Sequence, residues 1–178
     1  MNDKKIILIG PMGAGKSSIG RRLSKLLDLP FIDTDQAIRE RAGVDIDFIF
    51  EKEGEAGFRQ REERVLAELL TATRAVIATG GGIVLSARNR EAVKLHGIVV
   101  FLETGVEWQL ARTRLGTHRP LLDTPDPRER LEKLHAERID LYRETADITV
   151  NTDGRRVAAV ANSIADALGK FVNLEDRT

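Results

Sequence analysis

The sequence predicts an α/β protein built on a five-stranded parallel sheet flanked by helices. Three observations carry that prediction. Five short β-rich runs, Lys5–Ile9, Pro30–Asp33, Ala75–Thr79, Gly97–Leu102 and Ile148–Val150, alternate with stretches of helical periodicity, the pattern of a parallel sheet covered on both faces. The first run, Ile6-Ile7-Leu8-Ile9, is continuously apolar, as a strand buried on both sides must be. Directly after it stands Gly10-Pro-Met-Gly-Ala-Gly-Lys16-Ser17, which matches the phosphate-binding pattern G-x-x-x-x-G-K-[ST] in its required place between strand and helix. In open sheets of this kind ligands gather beyond the carboxyl ends of the strands, so the residues just past each strand are the place to seek function.

The 178 residues make one domain of ordinary size, with no internal repeat, low-complexity segment or linker. Lys plus Arg and Asp plus Glu both number 28, leaving no net charge, which argues against general attraction to nucleic acid or a membrane surface. There is no cysteine, which excludes a disulfide framework or a thiolate metal site. No apolar stretch reaches membrane-spanning length. Met1-Asn-Asp-Lys-Lys runs straight into a strand without a signal-peptide core, so a cytoplasmic protein is expected.

The first helix is expected over Ser17 to Asp28, with Ile19, Leu23, Leu26 and Leu27 on its buried side. Glycines at 10, 13 and 15 let backbone N–H groups turn inward around a polyphosphate, and the helix adds the positive end of its dipole. Lys16 can reach the outer phosphates and the Ser17 hydroxyl can ligate Mg²⁺. Strand two delivers Asp33-Thr34-Asp35 ahead of a helical stretch from Gln36 to Arg41. One carboxylate could hold Mg²⁺ through water and the other accept a hydroxyl proton; alternatively either one only caps the helix.

About 40 residues separate strands two and three, more than a minimal crossover needs. They carry a helical piece Ile46–Glu53, a break at Gly54 and Gly57, and a helix from about Phe58 to Thr71 buried through Val65, Leu66, Leu69 and Leu70. Arg59 stands at the start of that helix, where the dipole disfavours a cation, and Glu62 is spaced to hold it. On sequence alone, a solvated Arg–Glu surface pair is favoured over a ligand site. Strand three ends in Thr79-Gly80-Gly81-Gly82, a backbone that a ligand can approach closely. Strand four ends in Glu103; that mimics a Walker B acid, but Asp33 is preferred as the metal neighbour.

A helix from Val106 to about Leu115 bears Arg112 and Arg114, followed by Gly116-Thr-His-Arg119-Pro120-Leu-Leu. The glycine and prolines 120, 125 and 127 suggest a mobile loop whose Arg119 could close over a transferring phosphoryl group. Asp126 and Pro127 have the chemistry of an N-cap and a first helical residue. The helix they open, to Glu144, is buried through Leu131, Leu134, Ile139, Leu141 and Tyr142; periodicity leaves Arg138 undecided between solvent and crevice. A last helix is expected from Arg155 to Leu168, closed by Gly169, with Phe171 to Thr178 frayed. Arg155 or Arg156 could lie against an adenine ring. His96, His118 and His135 show no metal-ligand spacing and are assigned to surface or loops, and Trp108 to packing.

The chain resembles shikimate kinases along nearly its whole length. The resemblance is carried by Gly10-Pro-Met-Gly-Ala-Gly-Lys-Ser-Ser-Ile-Gly20, Phe31-Ile-Asp-Thr-Asp35, Gly57-Phe-Arg59 with Glu62-Glu63, Thr79-Gly-Gly-Gly82, Arg119-Pro-Leu-Leu122, and Arg138 with Leu141-Tyr142. It implies a P-loop kinase fold in one domain, 1–178, with a substrate-binding insertion at about 33–62 and a lid at about 112–126. It also implies transfer of the ATP γ-phosphate, with Mg²⁺, to the 3-hydroxyl of shikimate on the way to aromatic amino acids. By position, Asp35 binds the acceptor hydroxyls and is the base, while Arg59, Gly81, Gly82 and Arg138 bind shikimate, the arginines through its carboxylate. Gly13, Ala14, Gly15, Lys16, Ser17 and Ser18 wrap the ATP phosphates, with Ser17 on Mg²⁺ and Asp33 nearby. Arg119 is the lid arginine, Lys16 and Arg119 supply charge in catalysis, and Arg112 and Arg155 fall where the family contacts adenine. The partners implied are shikimate and ATP, with no nucleic acid or membrane, and a monomer is expected. Ser18 stands where the family often has threonine. Two rivals remain open: another small-molecule kinase of this fold, such as gluconate or adenylate kinase, or a non-catalytic nucleotide-binding homologue.

Overall fold

All five apolar runs become strands of one parallel sheet: β1 (Lys5–Ile9), β2 (Phe31–Asp33), β3 (Val76–Ala78), β4 (Gly97–Glu103) and β5 (Ile148–Asn151), in the order β2-β3-β1-β4-β5. The structure is a computed structural model that describes residues 4–114 and 120–175. The seven helices it describes are α1 (Lys16–Leu27), α2 (Thr34–Ala42), α3 (Ile46–Thr71), α4 (Ala87–His96), α5 (Val106–Thr113), α6 (Pro127–Thr145) and α7 (Val157–Glu175). Strand β1 lies in the middle: Ile6 is in register with Val76 of β3 on one side and with Ile98 of β4 on the other. That central place explains its unbroken apolar run, since its residues are buried on both faces.

The strand period of two divides the core. Ile7 and Ile9 of β1, with Val99 and Phe101 of β4, pack against α2, α3 and α4 and against Tyr142 of α6. Their neighbours Ile6 and Leu8, with Ile98, Val100 and Leu102, pack against Ile19 and Leu23 of α1 and Val160 and Ile164 of α7. Each fully buried aliphatic side chain contributes about 1.5–3 kcal/mol, and the two clusters together fix the sheet between helical layers. None of the described helices is long and apolar enough to cross a membrane.

Helix starts follow their caps. Asp126 accepts from the Glu129 N–H at 3.0 Å ahead of Pro127, as expected. Ser86 likewise caps α4 by accepting from the Asn89 N–H, but the periodicity does not announce that helix, because only Asn89 and Val93 of its ten residues are buried. The break after Glu53 is at Gly54 alone, which has φ 70° and ψ −177°. Gly57 lies within the helix, and a Cβ there would fall 2.4 Å from the Glu53 Cβ, so it serves close packing and not a turn. The last helix begins at Val157, two residues later than expected, and runs through Gly169 to Glu175. The fraying expected from Phe171 is therefore corrected as far as Glu175.

Candidate active site

The donor side begins with backbone shape. Gly10, Gly13 and Gly15 have φ of 146°, 76° and 88°, values that disfavour any side chain. At Gly10 a Cβ would also strike the Leu102 carbonyl oxygen at 2.7 Å. The resulting loop encloses a cavity of about 420 Å³ lined by Gly13 to Ile19, with Arg112, Thr152, Arg155, Val157 and Val160 also in its wall. Lys16 Nζ donates to the carbonyls of Gly10 and Pro11 at 2.7 and 2.8 Å, which holds its charge over the loop. Ala14 is fully buried, and Ser18 is exposed at the cavity edge.

Asp33 caps a helix with one oxygen, as one of its sequence readings has it, and meets Ser17 with the other. Oδ1 accepts from the N–H groups of Asp35 and Gln36 at 3.0 and 3.3 Å, capping α2. Oδ2 accepts from the Ser17 hydroxyl at 2.5 Å, so a hydroxyl and a carboxylate from two strand ends meet at the loop. All-oxygen donors of this kind suit Mg²⁺, which uses few protein ligands and takes the rest from phosphate and water. No group of three or more His, Cys, Asp or Glu suited to a metal occurs among the described residues. Glu103 instead pairs with Arg143 at 2.9 Å, the structural role of a strand-end acid.

The acceptor side is built from side-chain charge. A cavity of about 680 Å³ is lined by Phe58, Arg59, Glu62, Gly82 and Arg138, and it shares Met12, Ser17, Asp33, Asp35, Gly80 and Gly81 with the donor cavity. The two spaces thus meet at Asp35. Arg59 donates to Glu62 at 2.7 Å and to Glu55 at 3.1 Å. This is no solvated pair, contrary to the sequence expectation: the Glu62 side chain is 0% exposed and that of Arg59 21%. Burial holds the Glu62 carboxyl above its ordinary range, against the pull of Arg59, and Asp35 pushes it the same way. Arg138 comes inward from α6 and is only 4% exposed, which decides the alternative the periodicity left open. The Nε atoms of Arg59 and Arg138 and Oε1 of Glu62 are buried without a hydrogen bond. Such groups are costly unless a ligand satisfies them, and two guanidinium groups facing one cavity suit a planar carboxylate.

The glycine run lets these charges approach. A Cβ at Gly80 would fall 2.3 Å from Glu62 Oε1, and one at Gly82 2.3 Å from the Arg59 Cζ. At Gly81 it would stand 3.4 Å from the Met12 N–H group, so the run also lies against the phosphate loop. Two residues to which the sequence reading gives no role in the site hold it in place. The Gly80 N–H donates to the buried Thr34 hydroxyl at 3.0 Å, and Tyr142 donates its hydroxyl to the Gly81 carbonyl. Burial pushes the Tyr142 hydroxyl up to about 12, so it stays a donor. Thr34 sits within the quoted Asp33-Thr-Asp35 run and Tyr142 lies one turn beyond Arg138, which is the only signal either one gives.

Arg112 reaches the Gly13 carbonyl and the Thr152 hydroxyl, both at 3.0 Å, and the Thr152 carbonyl at 2.8 Å. Arg155 also lines the donor cavity but is exposed, held by the Ser163 hydroxyl at 2.7 Å. Arg114 lines neither cavity. Arg119 and His118 lie outside the described residues, so the expected lid is described only on its flanks, where Pro120 and Leu121 border the acceptor cavity. His96 is exposed as expected, whereas His135 is half-buried with Nδ1 3.4 Å from Gln109. Trp108 is 43% exposed and belongs to neither core; it packs instead beside Arg112 and Gly154.

A family model described as shikimate kinase matches residues 12–169. The shikimate kinase of Halorhodospira halophila is 54% identical over 164 residues, covering 92% of this chain and 93% of that one. That of Actinobacillus pleuropneumoniae serotype 5b is 52% identical over 165 residues, covering 93% and 95%. Among solved structures, the shikimate kinase from Acinetobacter baumannii in complex with shikimate superposes with a TM-score of 0.92 at 46% identity, over 94% of this chain and 93% of that one. A gluconokinase from Sinorhizobium meliloti, 17% identical with a TM-score of 0.59, shares the fold alone.

Proposed function

The chain belongs to the shikimate kinase family, phosphotransferases with an alcohol acceptor, and we propose how its residues divide that work. The donor cavity takes ATP and the acceptor cavity takes shikimate, so that the γ-phosphate passes to the 3-hydroxyl where the two spaces meet at Asp35. The observation that carries this division is the junction itself: Ser17, Asp33, Asp35, Gly80 and Gly81 border both cavities. On one side stands a loop shaped for phosphates, and on the other buried Arg138 and partly buried Arg59.

Gly13 to Ser18 hold the phosphates through backbone N–H groups and the α1 N-terminus. Lys16 neutralises charge on the outer phosphates, and Arg119 does so from the lid. Ser17 and Asp33 would hold Mg²⁺, which supplies charge neutralisation across the β- and γ-phosphates when bound. Asp35 orients the acceptor hydroxyl and takes its proton. Arg59 and Arg138 bind the acceptor carboxylate, with Glu62 and Glu55 keeping Arg59 in place. Phosphoryl transfer needs alignment and charge more than covalent assistance, and rigid glycines and buried ion pairs supply both. Residues 33–62 act as the acceptor-binding insertion and 112–126 as the lid, in a monomeric cytoplasmic enzyme.

Coupled measurement of ADP release tests the assignment, with shikimate, gluconate, matched sugar acids and nucleoside monophosphates as acceptors. ADP release is expected with shikimate alone. Turnover with gluconate or a nucleotide and none with shikimate would overturn the acceptor, and no turnover with any of them would favour the non-catalytic alternative.

A further inference from the structure

Trp108 is the single tryptophan of the chain, and it stands half-exposed on α5 outside both cores. Its neighbours are specific. The Arg112 Cζ lies 5.4 Å from the centre of its ring. On another edge is Gly154, at φ 65°, where a Cβ would fall 3.6 Å from Trp108 Cζ2. The indole therefore occupies a slot between the turn after β5 and the Arg112 guanidinium.

The guanidinium is fixed in its own plane as well, because its N–H groups donate to the Gly13 carbonyl and to both oxygens of Thr152. Bonds to three oxygens and an aromatic ring beside it hold the guanidinium in place. Arg112 lines the donor cavity and Trp108 does not, so the ring backs the arginine from outside the cavity. The phosphates belong at the glycine loop, and the base of a nucleotide must lie away from them. Beside the loop, where Arg112 reaches the Gly13 carbonyl, the cavity wall offers its guanidinium together with Val157, an apolar residue 41% exposed.

We propose that Trp108 is a positioning residue for the nucleotide, backing the Arg112 guanidinium so that its opposite face stacks on the base of ATP. This rests on the assignment of the donor cavity to ATP. Arginine is suited to such a double role, since its flat, weakly hydrated group stacks on π-systems at both faces while its edge donates hydrogen bonds.

The test is calorimetric binding of Mg-ADP and of Mg-tripolyphosphate, which has the phosphates and no base, to the full chain and its Trp108→Ala and Trp108→Phe variants. Trp108→Ala should weaken ADP about two- to five-fold, while tripolyphosphate changes by less than about two-fold. The KM for shikimate should stay within about two-fold, and Trp108→Phe should restore most of the ADP affinity, because a smaller ring still backs the cation. Equal losses for ADP and tripolyphosphate, undiminished ADP binding in Trp108→Ala, or a phenylalanine variant as weak as the alanine one would each overturn the inference. A wild-type chain that binds tripolyphosphate as tightly as ADP would overturn the assignment of the cavity to a nucleotide, and this inference with it.

Discussion

The two halves of the site are made of different materials. The donor half is mainly backbone: positive-φ glycines and a helix terminus, with Lys16 as the cation of the loop itself. The acceptor half is mainly side chain: buried Glu62 and Arg138 with partly buried Arg59, lining one cavity with Gly80 and Gly82. A backbone cradle tolerates change in its neighbours because its shape is set by local dihedral angles. A cluster of buried charges depends on every member, since removing one leaves the others uncompensated. Substitutions should therefore separate the halves cleanly.

The largest separation is expected at the junction. Asp35→Asn keeps the side-chain shape and removes the proton acceptor, so turnover should fall about 10²–10⁴-fold while ADP affinity is retained. Parallel loss of ADP binding would mean that Asp35 serves the donor half. Next, Arg138→Ala should raise the shikimate KM by roughly 30-fold or more, the effect of losing a buried charged partner, with little change for ATP. Equal effects on both substrates would erase the proposed division. Gly82→Ala drives a methyl group into the Arg59 guanidinium, and a roughly ten-fold rise in shikimate KM should result from misplacing a charged hydrogen-bonding group. Here an unchanged KM would show that Arg59 does not need its observed position.

Smaller effects concern the supports. Tyr142→Phe leaves the Gly81 carbonyl without its donor, costing about 1 kcal/mol of stability, measurable as a lowered urea midpoint. Glu62 should make stability depend on pH. Its folded-state pKa is raised above the ordinary 4.5, so its contribution is fully present below that value and is lost as pH rises through the folded value. The midpoint of wild type relative to Glu62→Gln should therefore fall as pH rises above the ordinary 4.5, and a constant difference would contradict a buried, proton-favouring Glu62.

The same contrast explains how much is legible in the sequence. The donor loop is contiguous, and its spacing and flanks identify it without a fold. All five strands are legible too, because each is a short β-rich run set between helical stretches, and β1 and β4 carry unbroken apolar runs, Ile6–Ile9 and Ile98–Leu102. The acceptor half is assembled from residues 35, 59, 62, 80–82 and 138, and chain order brings none of them together. Arg59 and Glu62 show only the spacing of a surface pair; their burial comes from Gly80 and Gly82 on another element. Helix α4 escapes detection because a short helix resting on few buried residues has no period to find. Arg112 is legible only by resemblance, and the partner that backs it, Trp108, offers nothing but an aromatic residue on a helix.

The strand order also governs how the molecule can be assembled. Strand β1 has no neighbour within the first seventy or so positions, since Ile6 pairs with Val76 and Ile98. Closing such distant pairings comes before any gain from them and slows folding. On a ribosome emitting roughly 5–20 residues per second, the phosphate loop is among the first segments made. Yet Gly10 packs on the Leu102 backbone and Gly13 is held by Arg112, so the contacts that brace the loop come only after more than half of the chain has been made behind it.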